Sequence, residues 1–263
     1  MPNIPNHRST GDPAVVDRDE LMQALNAELE PERFRDYCPN GLQVEGRREI
    51  HRIVSGVTAS LALVEAAVET GADLILVHHG YFWKGEPQEV TGMKRERLRQ
   101  LLAHDINLVA YHLPLDAHPA LGNNTQLAGR LGFAIDGVLR EDGVGQIGTP
   151  ARPLSAPDMQ AHISNVLGRE ALCVEAGDHP IRRIAWCTGG AQSLLTEAAA
   201  LGVDAYVSGE ISEQTTHEAR ELGVHYFAAG HHATERYGAQ ALGQWCGERF
   251  GLEHEFIEID NPA

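Results

Sequence analysis

The chain has 263 residues, 43% apolar and 22% charged, enough apolar material for one large core or two small ones and too little charge for a disordered polymer. Its net charge of −16, from 37 acidic against 21 basic residues, repels phosphate backbones and argues against a nucleic-acid partner. No apolar run reaches the roughly 18 residues a membrane helix needs, and Cys38, Cys173, Cys187 and Cys246 form no C-x-x-C pair, so they read as reduced, mostly buried thiols of a cytoplasmic protein.

Residues 1–16 carry Pro2, Pro5, Gly11 and Pro13 and no apolar stretch, and are expected to be a disordered tail. Asp17 caps a helix with Glu20 as its capping-box partner, and Leu21, Met22, Leu25 and Leu29 recur at helical spacing up to Pro31. Tyr37 to Gly41 is a turn and Leu42 to Val44 a short strand. Ile50 to Val57 reads as a buried strand, Ser60 to Thr70 as a helix closed by Gly71, and Leu74 to Val77 as the continuous apolar strand of a parallel sheet. An aromatic loop, Tyr81 to Gly85, is followed by a helix over Arg95 to His104 and a strand over Ile106 to Ala110. A loop marked by Pro114, Pro119 and Gly122-Asn-Asn124 precedes a short helix, Thr125 to Leu131. Residues 133–180 give turns and short strands, with a helix from Ser155 to about Leu167 and a strand over Leu172 to Glu175.

From Ile184 the chain repeats itself. Strand, small-residue turn, Ala-rich helix and Gly-x-Asp run from Ile53 to Asp73 and again from Ile184 to Asp204, at a constant offset of 131 residues. Each half then adds a helix and a further strand, ending in His112-x-x-x-Asp116 and His231-x-x-x-Glu235. The expected fold class is therefore a duplicated α/β protein, with a first module over 17–125 and a second over 126–263.

In open parallel sheets ligands bind beyond the carboxyl ends of the strands. His78-His79, His112/Asp116 and His231/Glu235 all stand at such ends. His231 and Glu235, four apart at a helix start, share one face. His78, His79, Asp116, His231 and Glu235 make five candidate metal ligands. One metal needs three or four, so the set suits two divalent ions bridged by a carboxylate. Mixed nitrogen and oxygen donors fit Zn, Fe, Mn, Co or Ni. His112, His232 and Glu210 are candidates for additional ligands or for acids that orient a ligating ring. Trp83 and Lys84 are candidates to line a pocket for an anionic or planar substrate. No G-x-S-x-G or P-loop frame is present, Gly189-Gly190 does not fit G-x-G-x-x-G, and no catalytic side chain is singled out.

Asn40-Gly-Leu-Gln-Val-Glu45, Val77-His-His-Gly-Tyr-Phe-Trp83, His112-Leu-Pro-Leu-Asp-Ala-His118, Ser208-Gly-Glu210 and Gly230-His-His-Ala-Thr-Glu235 resemble the NIF-three-like dinuclear-metal proteins over about residues 17–263. The resemblance implies two intertwined three-layer α/β/α domains, a toroidal homo-hexamer, and a dinuclear site on the same five residues. Many members carry the label GTP cyclohydrolase type two homologue, an inherited label that does not establish a substrate. Two functions follow: a metal-dependent hydrolase of a nucleotide-like or phosphorylated small molecule, or a non-enzymatic protein that stores, delivers or scaffolds metal.

Overall fold

A computed structural model describes residues 14–263. The tail expected at residues 1–16 lies outside the described residues up to position 13, and Val16 is not part of a tail. It pairs with Ile50, joining strand β1 (Val16–Asp17) to β3 (Glu49–Ile50). Helix α1 (Arg18–Leu29) is capped by the Asp17 carboxylate, which accepts from Asp19 N–H rather than one residue later as a capping box requires. Its Leu21, Met22, Leu25 and Leu29 are buried, as their spacing demands.

Five strands form the first sheet, in the order β13 (Glu253–Phe256), β4 (Arg52–Thr58), β5 (Leu74–His79), β6 (Asn107–Ala110) and β2 (Gly41–Val44). The first four are parallel and β2 runs antiparallel on the edge. The single strand expected over Ile50 to Val57 is thus two, because Ile50 turns away to pair with β1. Helices α2 (Leu61–Glu69) and α3 (Gly92–Ala103) cover one face, where Val54, Ile75, Val77 and Leu108 meet Leu63, Val64 and Leu101. Helix α1 covers the other with the C-terminal half of α9 (His231–Phe250), burying Ile53, Leu76 and Val109 against Leu21, Leu25 and Leu242.

The second sheet has the order β7 (Phe133–Val138), β8 (Gln146–Pro150), β10 (Ile184–Cys187), β11 (Ala205–Ser208), β12 (His225–Ala228) and β9 (Leu172–Val174). Its parallel centre, β10-β11-β12, is sandwiched between α7 (Leu195–Ala200) with α8 (Glu213–Leu222) and α5 (Asn123–Leu131) with α6 (Ala156–Leu167). Strand register repeats with the sequence. Ile53 pairs with Leu74 and Ile184 with Ala205, both pairs displaced by the same 131 residues.

The fold is a duplicated, intertwined three-layer α/β/α arrangement. The crossing is physical. Tyr237 of α9 packs into the core of the second sheet, Leu242 and Cys246 of the same helix into the core of the first, and β13 then joins the first sheet. The division placed between residues 125 and 126 falls inside α5, whose Leu127 and Leu131 belong to the core of the second sheet. Between β6 and α5 the expected loop contains a short helix, α4 (Leu113–Ala117), started by Pro114 in its first turn. Among the described residues no helix is long and apolar enough to cross a membrane.

Candidate metal centre

The carboxyl ends of both parallel sheets face one cavity of about 540 Å³. Strand β5 delivers His78 and His79. Adjacent strand residues point to opposite sides, and here each ring is caught by a different neighbour. The Nδ1 of His78 lies 3.0 Å from the Tyr111 carbonyl beyond β6, and the Nδ1 of His79 lies 3.1 Å from the Thr58 hydroxyl on β4. The rings nonetheless converge, centroids 4.5 Å apart, because β5 ends there. Helix α4 brings Asp116, and the first turn of α9 brings His231 and Glu235 on one face.

All five predicted residues come together. His78 Nε2 is 3.5 Å from Asp116 Oδ1 and 3.5 Å from Glu235 Oε1. Glu235 Oε2 is 3.3 Å from His79 Nε2 and 3.0 Å from His231 Nε2. Two trios result, His78/Asp116/Glu235 and His79/His231/Glu235, each with donor atoms within 4.8 Å of one another and able to hold a metal ion. The buried Nε2 of His78 and Oε2 of Glu235 have no hydrogen-bond partner, since their close contacts lack hydrogen-bonding geometry. Orphaned atoms of this kind are costly, and a cation in each trio would satisfy one of them, so the donor set fits a metal.

The electrostatics agree. Burial alone would lower the His78 pKa, but the Asp116 and Glu235 carboxylates outweigh it and hold the ring at about 9. His231, also pulled down by burial, is held at about 9 by Glu235 and Glu210. Burial drives His79 to about 3 against the pull of Glu235. Burial raises Asp116, with Glu235 adding like-charge repulsion against His78, whereas the surrounding imidazoles overcome burial at Glu235 and keep it ionised.

Of the further candidates, Glu210 lies beside the site, its Oε1 2.7 Å from His231 Nδ1. His112 lines the cavity, with Nδ1 2.6 Å from Asp36 Oδ1. His232 does not join the centre. One residue on from His231, it points around the helix to Glu258. Trp83 lines the cavity, its ring 5.0 Å from that of His112. Lys84 is exposed and outside the lining. The one Lys or Arg there among the described residues is Arg140, paired with Asp142 at 3.0 Å.

Several supporting residues escaped the sequence reading. Asn123 Nδ2 donates to Asp116 Oδ1 at 2.9 Å while its Oδ1 accepts from Gly238 N–H, tying Asp116 to α9. Thr188 Oγ1 reaches the same Asp116 oxygen at 3.3 Å. Asp36 is buried under His112 and held low, to about 2, because hydrogen bonds from His112 and Asn40 outweigh its burial. The doublet Asn123-Asn124, read only as a loop mark, was the available signal.

Fold and site together define a duplicated α/β protein with histidine–carboxylate clusters, able to hold metal, at its strand ends. The family model Duf34/NIF3 (NGG1p interacting factor 3) matches residues 16–262, and the chain belongs to that family. It is 58% identical over 246 residues to a Pseudomonas aeruginosa protein called GTP cyclohydrolase 1 type 2 homolog, covering 92% of this chain and 97% of that one. The Escherichia coli protein of the same name is 52% identical over 245 residues, covering 93% and 98%. Among solved structures, one described as protein ybgI, unknown function, superposes with a TM-score of 0.92 at 51% identity, covering 94% of this chain and 100% of that one. The protein TTHA1606 from Thermus thermophilus gives 0.86 at 34% identity, with the same coverage.

Proposed function

We propose that the chain binds two divalent ions and is a metal-dependent hydrolase of a nucleotide-like or phosphorylated small molecule. The observation that carries this reading is that Glu235 belongs to both trios, with Oε1 toward His78 and Oε2 toward His79 and His231. A carboxylate shared between two ions is the usual core of a two-metal site, whose paired charges clamp oxygens and make water a nucleophile at neutral pH. The cavity supports the substrate class. The indole of Trp83 and the guanidinium of Arg140 line it, an aromatic ring and a cation suited to a planar, anionic molecule. The relatives' name, GTP cyclohydrolase 1 type 2 homolog, points the same way. Assembly as a homo-hexamer, which the family resemblance implies, is part of the proposal.

The test is a screen of the purified, metal-loaded chain against GTP, phosphoesters and cyclic amides. Turnover abolished in His78→Ala is the expected result. No turnover of any class, or turnover that survives that substitution, sinks the reading. Metal delivery is the second reading, favoured by the 28% exposure of the His231 side chain, which opens the outer trio to solvent. Loss of metal to a chelator within seconds, with transfer to an apo-acceptor, would support delivery over hydrolysis.

A further inference from the structure

Four histidine rings face this centre, and all are wired alike. Each has Nδ1 on a protein oxygen: Tyr111 carbonyl for His78, Thr58 hydroxyl for His79, Glu210 for His231, and Asp36 for His112. The second nitrogen, Nε2, is left for the cavity. His78, His79 and His231 are each part of a trio containing Glu235. His112 is in neither; it groups with the rings of His78 and His79 and, away from Glu235, with Asp36 and Cys38. A cation held by three neutral imidazoles would gain no carboxylate charge there. His78 and His79 each have one free nitrogen, and Glu235 engages both.

His112 is also firmly held. Its backbone N–H donates to Asn40 Oδ1 at 2.7 Å. Asp36, only 4% exposed, accepts from Tyr37 N–H on Oδ1 and from Leu113 N–H and Asn40 Nδ2 on Oδ2. The Trp83 ring stands edge-on to the imidazole at 83°. The result is a buried carboxylate orienting an imidazole that lines the cavity beside both trios, the arrangement of a general base and its orienting partner.

We infer that His112, oriented by Asp36, is the imidazole left free when the centre is loaded, and that it handles the reacting proton. The inference rests on the hydrolase reading for its chemistry. As the oxygen of a cavity water bonds to the scissile centre, its O–H bond breaks and the proton passes to His112 Nε2. The bond to the leaving oxygen then breaks, and the imidazolium returns that proton to it. Asp36 is a positioning residue that fixes the tautomer without touching substrate.

The experiment treats the zinc-loaded full chain with diethyl pyrocarbonate, which modifies unligated imidazole nitrogens. Modified sites are mapped by mass spectrometry, zinc content is followed, and bis(p-nitrophenyl) phosphate serves as the hydrolysis probe. His112 should be modified while zinc stays bound and His78, His79 and His231 are spared. Probe turnover should fall in step and return with hydroxylamine. His112→Asn should keep its zinc and lose about 10²–10⁴ of turnover, and Asp36→Asn should slow modification of His112 by about tenfold. Protection of His112 until zinc is chelated, or loss of an ion in His112→Asn, would make it a ligand and overturn the inference. So would turnover unchanged by complete modification. If His112 is modified with zinc bound but the wild-type chain never hydrolyses the probe or any member of the substrate screen, the free imidazole stands and the hydrolase reading falls.

Discussion

Gly189, in the turn after β10, approaches the centre so closely that its missing side chain is part of the site. A Cβ built there would lie 1.9 Å from Glu235 Oε1, 2.7 Å from its Cδ and 3.1 Å from His231 Nε2. Reaching even the 3.0 Å floor for such contacts requires the carboxylate oxygen to move 1.1 Å, from 1.9 Å. Metal–ligand distances tolerate only about ±0.2 Å, so Gly189→Ala should disturb both trios at their shared member. The expected loss is at least 10–100-fold in metal affinity. Gly189 also has φ +69°, where alanine costs roughly 1–2 kcal/mol, a melting shift of some degrees at this chain length. The neighbour is the control. At Gly190 the nearest atoms, of Glu210 and His231, are at 3.5 Å, an ordinary contact, so Gly190→Ala should bind metal nearly as wild type. The assay is elemental analysis of both reconstituted variants, with melting curves in excess chelator to show that each folds. If Gly189→Ala keeps two ions per chain with wild-type resistance to chelator, Glu235 is not the shared ligand and the reasoning fails.

Three further outcomes are expected. Glu235→Ala should lose most of both ions and Asp116→Ala mainly one, measured as metal per chain; two ions retained in Glu235→Ala would refute the bridge. In the chelator-treated chain, the folded pKa of His78 at about 9 lies above its ordinary 6.5, so its contribution is fully present below pH 6.5 and lost as pH rises through 9. At about 1.4 kcal/mol per pH unit that is on the order of 3 kcal/mol for this fully buried ring. His231 acts in the same direction, whereas His79, held at about 3, contributes above pH 6.5 and loses its contribution as pH falls toward 3. Metal-free protein should therefore melt highest near pH 6.5 and lower at pH 9, and excess metal should restore the loss at pH 9 by mass action; a flat melting profile between those values would contradict the assignment. Light scattering at moderate salt should give six chains per particle, and a monomer would refute the hexamer.

Local pattern determined much of this protein. The apolar strand runs and the helical spacing in α1 follow from backbone periodicity, and the 131-residue echo is a repeat of the same pattern, all of which sequence records directly. The cluster of His78, His79, Asp116, His231 and Glu235 was legible because chemically matched residues recur at strand ends, and strand ends of parallel sheets converge. Tertiary structure decided what depends on direction and distance. His231 and His232 are neighbours in sequence, but a helix turns about 100° per residue, which sends one to the centre and the other to Glu258. Lys84 sits beside Trp83 in the chain yet outside the cavity, whose cation, Arg140, arrives from residues that carried no motif. Asp36 and Asn123 matter through single hydrogen bonds, Asp36 to a ring 76 positions away and Asn123 to a carboxylate on α4 while its amide oxygen accepts from α9. Strand β13 shows no apolar alternation of its own, with Glu253 and Glu255 exposed. It becomes a strand because α9 carries it back to the open edge of β4, where backbone pairing is joined by His254 Nε2 at 2.8 Å from the Ser55 hydroxyl and by Glu253 paired with Arg52.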